Sequence, residues 1–177
     1  MVLAAGLATK LKPLSLKKPK ALFPVANLTS IERVIKLIDG YGFKEAVVNL
    51  HSQGEQIEEF LGGGSRYGIS LSYSWEKKIM GTAGALAKAR NFFDNETFLV
   101  INSDVLTTIN LKKALDFHRN REALATLILT RADTSEYGAV GIDEEERIKS
   151  FLGKSYNLPV QGLKSEAVYT GIAFFEP

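Results

Sequence analysis

The chain has 177 residues, and since a typical domain has about 150, this length predicts a single domain. The absence of cysteine excludes a disulfide scaffold, a thiolate zinc site and a cysteine nucleophile. With 45% hydrophobic and 24% charged residues the composition is that of a globular protein, and no apolar run approaches the ~20 residues of a membrane helix. The start of the chain lacks the basic region of a signal peptide. We therefore expect a cytoplasmic protein without a membrane partner.

The charge is unevenly distributed along the chain. Residues 1–31 contain five lysines and no acidic residue, which leaves 17 basic and 20 acidic residues for the remainder. A localised positive segment on a slightly acidic body predicts a small anionic ligand such as a phosphate, rather than nucleic acid. The alternative on charge alone is a lysine-rich loop that lies in solvent.

The first half of the chain alternates predicted strands and helices. Three prolines, ending with Pro24, exclude a regular helix from the long segment after the first strand. Thr29 and Glu32 have the spacing of a capping box, and apolar residues then repeat at helical intervals. The predicted elements are a strand at 2–5, a helix that follows Thr29 and ends near Gly40, a strand at 46–50, a helix at 53–61 and a strand at 69–75.

The second half continues this pattern and then changes. The predicted elements are a helix at 82–93, a strand at 98–101, a helix marked by Leu111, Leu115 and His118, and strands at 125–130, 137–142 and 169–175, with no helix after about residue 135. Strands that feed helices and return to parallel strands predict an α/β fold, a Rossmann-like doubly wound and mostly parallel sheet. The last strands predict a small β-rich lobe.

Two loops are candidates for chemistry, because ligands of open α/β sheets bind beyond the carboxyl ends of the strands. The first strand leads into Gly6, but a Rossmann fingerprint would need glycines where Ala8 and Leu11 stand, and a Walker A loop does not fit either. The loop can still offer backbone N–H groups to a phosphate, with lysines as countercharge. Both hydride transfer and P-loop hydrolysis are therefore disfavoured.

Lys20 and Asp104 are the side chains that best suit phosphate chemistry. Lys20 lies between Pro19 and an apolar run, which would hold it in place, although a lysine in solvent is the alternative. Asp104 ends an apolar strand, where one carboxylate suits a Mg²⁺ ion that is bound to substrate phosphates, although a turn or a helix cap is equally open. We expect the two side chains to meet across one pocket.

Other residues carry weaker signals. Gly81 and Thr82 open a predicted helix whose N–H groups could meet a base or a phosphate, or could simply start the helix. His51 and His118 have no metal-ligand spacing and are interpreted as structural.

Taken together, these segments resemble the sugar-1-phosphate nucleotidylyltransferases, and within them the mannose-1-phosphate guanylyltransferases. Residues 3–15 read LAAGLATKLKPLS and residues 19–25 read PKALFPV, against the family pattern LAAGxGTRLxPLTxxxPKALxPV. Residues 81–86 read GTAGAL and match the family's base-side motif, and residues 102–104 read NSD and match its metal-binding NxD. Weaker sugar-side motifs match at 137–138 and 170–172. The resemblance covers nearly the whole chain.

The resemblance implies a single catalytic domain over residues 1–177 that lacks the C-terminal part of the family. It also implies a reaction that joins a nucleoside triphosphate to a sugar-1-phosphate and releases pyrophosphate, with Mg²⁺ as cofactor. The matched motifs indicate GTP as the nucleotide and mannose-1-phosphate as the sugar phosphate. The implied catalytic residues are Lys10, Lys20 and Asp104, with Asp104 as the metal ligand. The implied nucleotide-binding residues are Leu3, Ala4, Ala5, Gly6, Ala8, Thr9, Glu76, Gly81 and Thr82. The implied sugar-binding residues are Gly138, Lys154 and Thr170.

Three departures from the family pattern favour a second hypothesis. Ala8 replaces a glycine, Lys10 replaces an arginine that would bind phosphate through a two-pronged guanidinium, and Gly153 stands where the sugar-side carboxylate is expected. The alternative is thus a catalytically weakened paralogue that binds nucleotide or nucleotide-sugar and regulates a partner enzyme. A third hypothesis is an unrelated α/β binding domain. Homo-oligomers are compatible with all three, and the sequence does not specify the oligomeric state.

Overall fold

The computed structural model describes residues 1–152 and 163–177, together with the backbone of 154–155. The chain divides into two compact units. The larger unit comprises Met1–Thr126 and Ala173–Pro177, and the smaller unit comprises Leu127–Ile172. The prediction of one catalytic domain over the whole chain stays a prediction.

The larger unit is built on parallel strands in the order β6-β1-β4-β5. These strands are β1 (Val2–Leu3), β4 (Glu45–Leu50), β5 (Ser70–Trp75) and β6 (Phe98–Asn102), and β2 (Pro24–Val25) and β3 (Leu28–Thr29) form a separate antiparallel pair. The helices are α1 (Ser30–Gly40), α2 (Gly54–Leu61), α3 (Gly81–Ala89) and α4 (Leu111–Asn120). The predicted α/β fold class is confirmed.

The strand order places a topological switch point at β1. From β1 the chain moves outward through β4 to β5, and it then returns to add β6 on the other side of β1. Adjacent loops at the carboxyl ends of β1 and β6 therefore leave the sheet on either side of a crevice, which is where open α/β sheets bind their ligands.

Helix α1 shows how closely the local pattern determines the structure. Its apolar face (Ile31, Val34, Ile35 and Ile38) is at most 3% exposed, as the helical spacing predicts. The predicted capping box is also confirmed, because the Thr29 hydroxyl accepts from the Glu32 N–H and the Glu32 carboxylate accepts from the Thr29 N–H.

The capping box has a testable pH dependence. Burial raises the pKa of the Glu32 carboxyl, but hydrogen bonds from Thr29 and Tyr67 and the charge of Arg66 outweigh it and lower the pKa from 4.5. The ionised Glu32 carboxylate therefore stabilises the fold fully above pH 4.5, and this stabilisation is lost as the pH falls from 4.5 through the lowered pKa of the folded state. The Thr29 hydroxyl also donates to Glu32 Oε2 at 2.9 Å, and Thr29→Ala removes this bond to the carboxylate together with the helix cap. We expect Thr29→Ala to lower the free energy of unfolding by about 1 kcal/mol near neutral pH, and by clearly less well below pH 4.5, in urea titrations. An equal loss at both pH values would contradict this account.

The smaller unit is antiparallel and rich in strands. Its described strands lie in the order β10-β9-β8-β11, with β8 (Val140–Ile142), β9 (Ile148–Phe151), β10 (Lys154–Ser155) and most of β11 (Ser165–Phe175). Strand β7 (Ala125–Thr130) spans the boundary between the units, and the short helix α5 (Thr134–Tyr137) follows it.

Several predicted boundaries were wrong for identifiable reasons. The predicted strand at 137–142 begins only at Val140, because the Asp133 carboxylate caps α5 by accepting from the Ser135 N–H, and Gly138, at a φ of 80°, ends that helix. The expectation of no helix after about residue 135 was wrong for the same reason. The first strand stops at Leu3, and the helix predicted to reach residue 93 ends at Ala89 and continues as a 3-10 turn.

Candidate functional site

An open cavity of about 220 Å³ lies at the carboxyl ends of β1 and β6, at the switch point of the sheet. It is formed by residues of the larger unit alone. Its lining residues are Leu3, Ala4, Ala5, Gly6, Lys20, Ala21, Asn49, Glu76, Ile79, Gly81, Thr82, Asn102, Ser103 and Asp104. Nine of the residues that the sequence analysis selected thus share one cavity.

The backbone around Lys20 is held on both sides. Pro19 is extended and directs the chain into a single 3-10 turn, Lys20–Leu22. Ala21 and Leu22 are buried, and the Ser30 hydroxyl donates a 2.9 Å hydrogen bond to the Ala21 carbonyl. This local structure fixes the base of the Lys20 side chain while its ammonium group reaches the cavity.

Lys20 and Asp104 meet in this cavity. The distance from Lys20 Nζ to Asp104 Oδ2 is 2.7 Å, which confirms the expected convergence of these two side chains. The side chains are 34% and 39% exposed, so solvent screens the pair, and an ion pair of this kind contributes only about 0–1 kcal/mol. Incoming phosphates or a metal ion can therefore separate the two groups at low cost.

The loop after β1 offers room for a ligand. A Cβ atom placed on Gly6 would meet no heavy atom within 4 Å, so this glycine borders open space rather than packed protein. The Leu3 carbonyl accepts from the Ser103 N–H at 3.0 Å, which ties this loop to the end of β6. The two loops that flank the switch point are thereby joined.

A buried polar bridge between Asn49 and Glu76 forms another part of the cavity lining. Asn49 and Glu76 are each 4% exposed, and the Asn49 amide donates to Glu76 Oε1 at 2.8 Å. Asn49 Oδ1 accepts from the Ala4 N–H at 2.7 Å, and Glu76 Oε2 accepts from the Met80 N–H at 3.0 Å. The sequence analysis did not select Asn49. The available signal was a polar residue inside an otherwise apolar strand, AVVNL at 46–50.

The start of α3 completes the cavity. Gly81 has a φ of 67°, a backbone conformation that residues other than glycine rarely adopt. Met80 occupies the N-cap position of α3, and its side chain makes no hydrogen bond to the N–H groups of the helix. The first N–H groups of a helix have no partner within the helix and favour anions. Because Gly81 and Thr82 line the cavity, this helix start faces a possible ligand.

The structure does not bring all the selected residues into this cavity. Ala8 precedes the exposed 3-10 turn Thr9–Leu11, and neither Ala8, Thr9 nor Lys10 is among the lining residues. Ala8 has φ 48° and ψ 43°, so an alanine occupies the left-handed conformation that favours glycine.

The selected sugar-side residues belong to the smaller unit. Gly138 ends α5, and a Cβ atom at this position would meet the Leu152 side chain at 2.6 Å. The Thr170 hydroxyl donates to the Ile128 carbonyl at 2.8 Å. The backbone of Lys154 in β10 pairs with Phe151. The side chain of Lys154 and the whole of Gly153 lie outside the described residues.

Both histidines are hydrogen-bonded to other protein groups, which agrees with their interpretation as structural residues. His51 bonds the Glu76 carbonyl, and the buried His118 bonds Thr126 and Glu176.

Two carboxylates line this cavity, those of Glu76 and Asp104. Both oxygens of the buried Glu76 already accept hydrogen bonds, so the more exposed Asp104 is the carboxylate that a divalent ion could reach. Across the described residues no group of three or more histidine, aspartate or glutamate side chains is arranged to enclose a metal ion. A single carboxylate fits Mg²⁺ that keeps waters and phosphate oxygens among its ligands. In the same part of the chain, every helix is too short or too polar to cross a membrane.

The comparisons with known proteins agree with this geometry. The family model described as nucleotidyl transferase matches residues 1–177. The chain is 32% identical to UTP–glucose-1-phosphate uridylyltransferase of Synechocystis sp., covering 100% of this chain and 48% of that protein. It is 33% identical to mannose-1-phosphate guanylyltransferase of Mycobacterium tuberculosis, covering 93% of this chain and 46% of that protein. The chain thus spans about half the length of these curated relatives.

The fold matches solved structures as well. Crystal structures of HddC from Yersinia pseudotuberculosis, one of them complexed with GMP-PN, superpose with a TM-score of 0.80 and cover 99% of this chain and 75% of theirs. At 21% to 22% identity this likeness shows the fold alone. The family model matches the whole chain, and the cavity motifs stand in family order on the expected sheet. The chain therefore belongs to the nucleotidyl transferase family.

Proposed function

We propose that the protein transfers a nucleotidyl group from a nucleoside triphosphate, GTP, to a sugar-1-phosphate, mannose-1-phosphate. The observation that carries this proposal is the contact between Lys20 and Asp104 in a cavity at the switch point. A cation and a carboxylate at one point suit the joining of two anions, where catalysis is mainly positioning and charge neutralisation.

The proposed reaction balances without a further reactant. An oxygen of the sugar phosphate attacks the α-phosphorus, a new P–O bond forms, and the bond to the β-phosphate breaks so that pyrophosphate leaves with its electron pair. Lys20 would neutralise the phosphates being joined, and Lys10 would bind the leaving pyrophosphate. Asp104 would hold Mg²⁺, which when bound lowers the charge repulsion among the phosphates.

The remaining cavity residues would bind the nucleotide. The backbone of residues 3–6 would face the phosphates and ribose, and Glu76, Gly81 and Thr82 would surround the base, with Ala8 and Thr9 following the loop. The sugar-binding role that the resemblance implies for Gly138, Lys154 and Thr170 stays a prediction. Guanine and mannose-1-phosphate are supported by the GTAGAL sequence at 81–86 and by the mannose-1-phosphate guanylyltransferase among the relatives. The uridylyltransferase among the relatives makes UTP with glucose-1-phosphate the matched competitor.

Pyrophosphate release from a substrate panel tests the proposal. Purified protein with Mg²⁺ is given GTP, UTP or dTTP, each with mannose-1-phosphate or glucose-1-phosphate. We expect release with GTP and mannose-1-phosphate above all other pairs. Faster release with another pair would overturn the named substrates, and no release with any pair would overturn the activity.

The conformation of Ala8 favours a second candidate, a paralogue that binds nucleotide without efficient turnover and regulates a partner enzyme. Its left-handed backbone costs an alanine about 1–2 kcal/mol, and Lys10 lacks the two-pronged contact of an arginine. The expected result for this candidate is stabilisation by GTP against heat without release of pyrophosphate.

Reversal of the two departures separates the candidates. If the second is correct, we expect Ala8→Gly with Lys10→Arg to raise the rate of pyrophosphate release about tenfold, since one added charge-assisted hydrogen bond contributes about 1.5–3 kcal/mol. If the protein is already an efficient enzyme, the rate changes little. Lys12→Arg, on an exposed neighbouring lysine, is the matched control. A lower rate in the double variant would contradict both explanations of the departures.

A further inference from the structure

The bridge between Asn49 and Glu76 joins two walls of the cavity that are distant in sequence. One wall is the loop after β1, which the bridge reaches at the Ala4 N–H, and the other is the start of α3, which it reaches at the Met80 N–H. Both side chains that form the bridge are 4% exposed. Polar groups buried this deeply are costly unless they are hydrogen-bonded, so each link depends on the others.

The partners fix the direction of every hydrogen bond in the bridge. The Ala4 N–H can only donate, so the oxygen of the Asn49 amide must face it and the NH₂ group must face Glu76. Glu76 then accepts through both oxygens, from Asn49 and from Met80. The bridge therefore needs one residue that accepts and donates, and one that accepts twice.

The backbone of Glu76 is anchored as well. Its N–H donates to the Leu50 carbonyl at 2.8 Å, and its carbonyl lies 2.8 Å from His51 Nδ1, which must donate because a carbonyl oxygen can only accept. The Glu76 carboxylate therefore starts from a fixed position beyond β5. It can hold the Met80 N–H, and with it the start of α3, at a defined distance from the loop after β1.

We propose that Asn49 and Glu76 are positioning residues that set the spacing between the loop after β1 and the start of α3. They act through the backbone N–H groups of Ala4 and Met80, and the inference rests on the proposed nucleotide-binding role of the cavity. A nucleotide held between these walls would lose affinity when the bridge breaks.

Exchanging the two residue types provides the test. Glu76→Gln presents an NH₂ group to the Asn49 NH₂ group, and Asn49→Asp sets two carboxylates against each other. The double variant Asn49→Asp/Glu76→Gln restores all three bonds with the middle one reversed, because the introduced aspartate accepts twice and the introduced glutamine donates once and accepts once. The charge of the pair stays the same.

We expect each single variant to raise the KM for GTP by about 10- to 100-fold, since a displacement of the cavity walls by about 1 Å can have an effect of this size. We expect the double variant to restore most of the affinity for GTP. Asn120→Asp/Glu59→Gln moves a charge in the same way between exposed residues and is the matched control. A double variant as weak as the weaker single variant would overturn the proposal, because it would show that the Glu76 charge itself is what the ligand needs.

Amide hydrogen exchange tests the bridge independently of turnover. Glu76 is linked to the Ala4 N–H through Asn49, so Glu76→Gln should speed exchange of the Ala4 N–H about tenfold by releasing Asn49, and the double variant should slow it again. Unchanged exchange at Ala4 would overturn the bridge even in an active enzyme. Absence of turnover in the unmodified protein would instead overturn the proposed function, while exchange at Ala4 and Met80 would still decide whether the bridge exists.

Discussion

Lys20→Ala is expected to lower kcat for nucleotidyl transfer by roughly 10²- to 10³-fold, the loss typical when one preorganised charge-stabilising donor is removed. The ammonium group already lies at the switch point, 2.7 Å from Asp104, and its backbone is held by a short turn with two buried residues. Little reorganisation is then needed for it to meet a phosphate. Rapid-quench measurement of nucleotide-sugar formation under saturating substrate would give kcat directly.

Lys20→Ala should leave the stability of the fold nearly unchanged. The ion pair that Lys20→Ala removes is about one third exposed, so the free energy of unfolding should change by less than about 1 kcal/mol. Lys18→Ala is the matched control, because Lys18 is exposed, lies two positions away and does not line the cavity. If Lys18→Ala lowered kcat as much as Lys20→Ala, the effect would come from the general positive charge of the segment and not from the position of Lys20.

The local elements of the larger unit were predictable because their signals are local. The capping box of Thr29 and Glu32, the apolar spacing of α1 and the continuous apolar run of β6 each depend on a few adjacent residues. The parallel arrangement of the strands then followed from alternation of strand and helix, and the carboxyl-end rule placed Asp104 at the edge of the sheet where ligands bind. Lys20 lies on a 3-10 turn and not at the end of a parallel strand, so that rule does not place it, and its contact with Asp104 was a hypothesis that needed the structure to confirm it.

The polar bridge was not predictable in the same way. Asn49 in a buried strand signals an unusual partner, but its partner Glu76 lies just after β5, and the N–H group that Asn49 binds lies just after β1. Only the register of β4 against both neighbours brings these groups together. The same contact explains why the first strand is shorter than predicted, since the Ala4 N–H bonds a side chain instead of continuing the ladder.

Helix α5 shows the opposite failure, in which a short local signal was overlooked. The run from Tyr137 to Ile142 is typical of a strand, but the Asp133 carboxylate caps the preceding residues and a glycine at positive φ ends the turn. A four-residue helix has too little periodicity to compete with an apolar run in the sequence. Cap and glycine together were the signal that could have found it.

Asp104→Asn is expected to separate turnover from nucleotide binding. The substitution keeps the size of the side chain but removes the charge that would hold Mg²⁺, so the Mg²⁺-dependent kcat should fall by about 10²-fold or more. It also leaves the Lys20 ammonium without its carboxylate partner, and that ammonium can then attract phosphates without an opposing charge. The affinity for GTP in EDTA should consequently stay the same or increase, as measured by calorimetry.

This opposite movement of two quantities is what distinguishes a metal-holding carboxylate from one that merely orients Lys20. If Asp104 served only to orient the lysine, Asp104→Asn would weaken metal-free GTP binding together with turnover, and raising the Mg²⁺ concentration would recover neither. Asp116→Asn is the matched control, because Asp116 pairs with Lys112 at 2.8 Å on the exposed side of α4 and should change neither quantity. A loss of metal-free affinity in Asp104→Asn but not in Asp116→Asn would contradict the metal role and assign Asp104 to the positioning of Lys20.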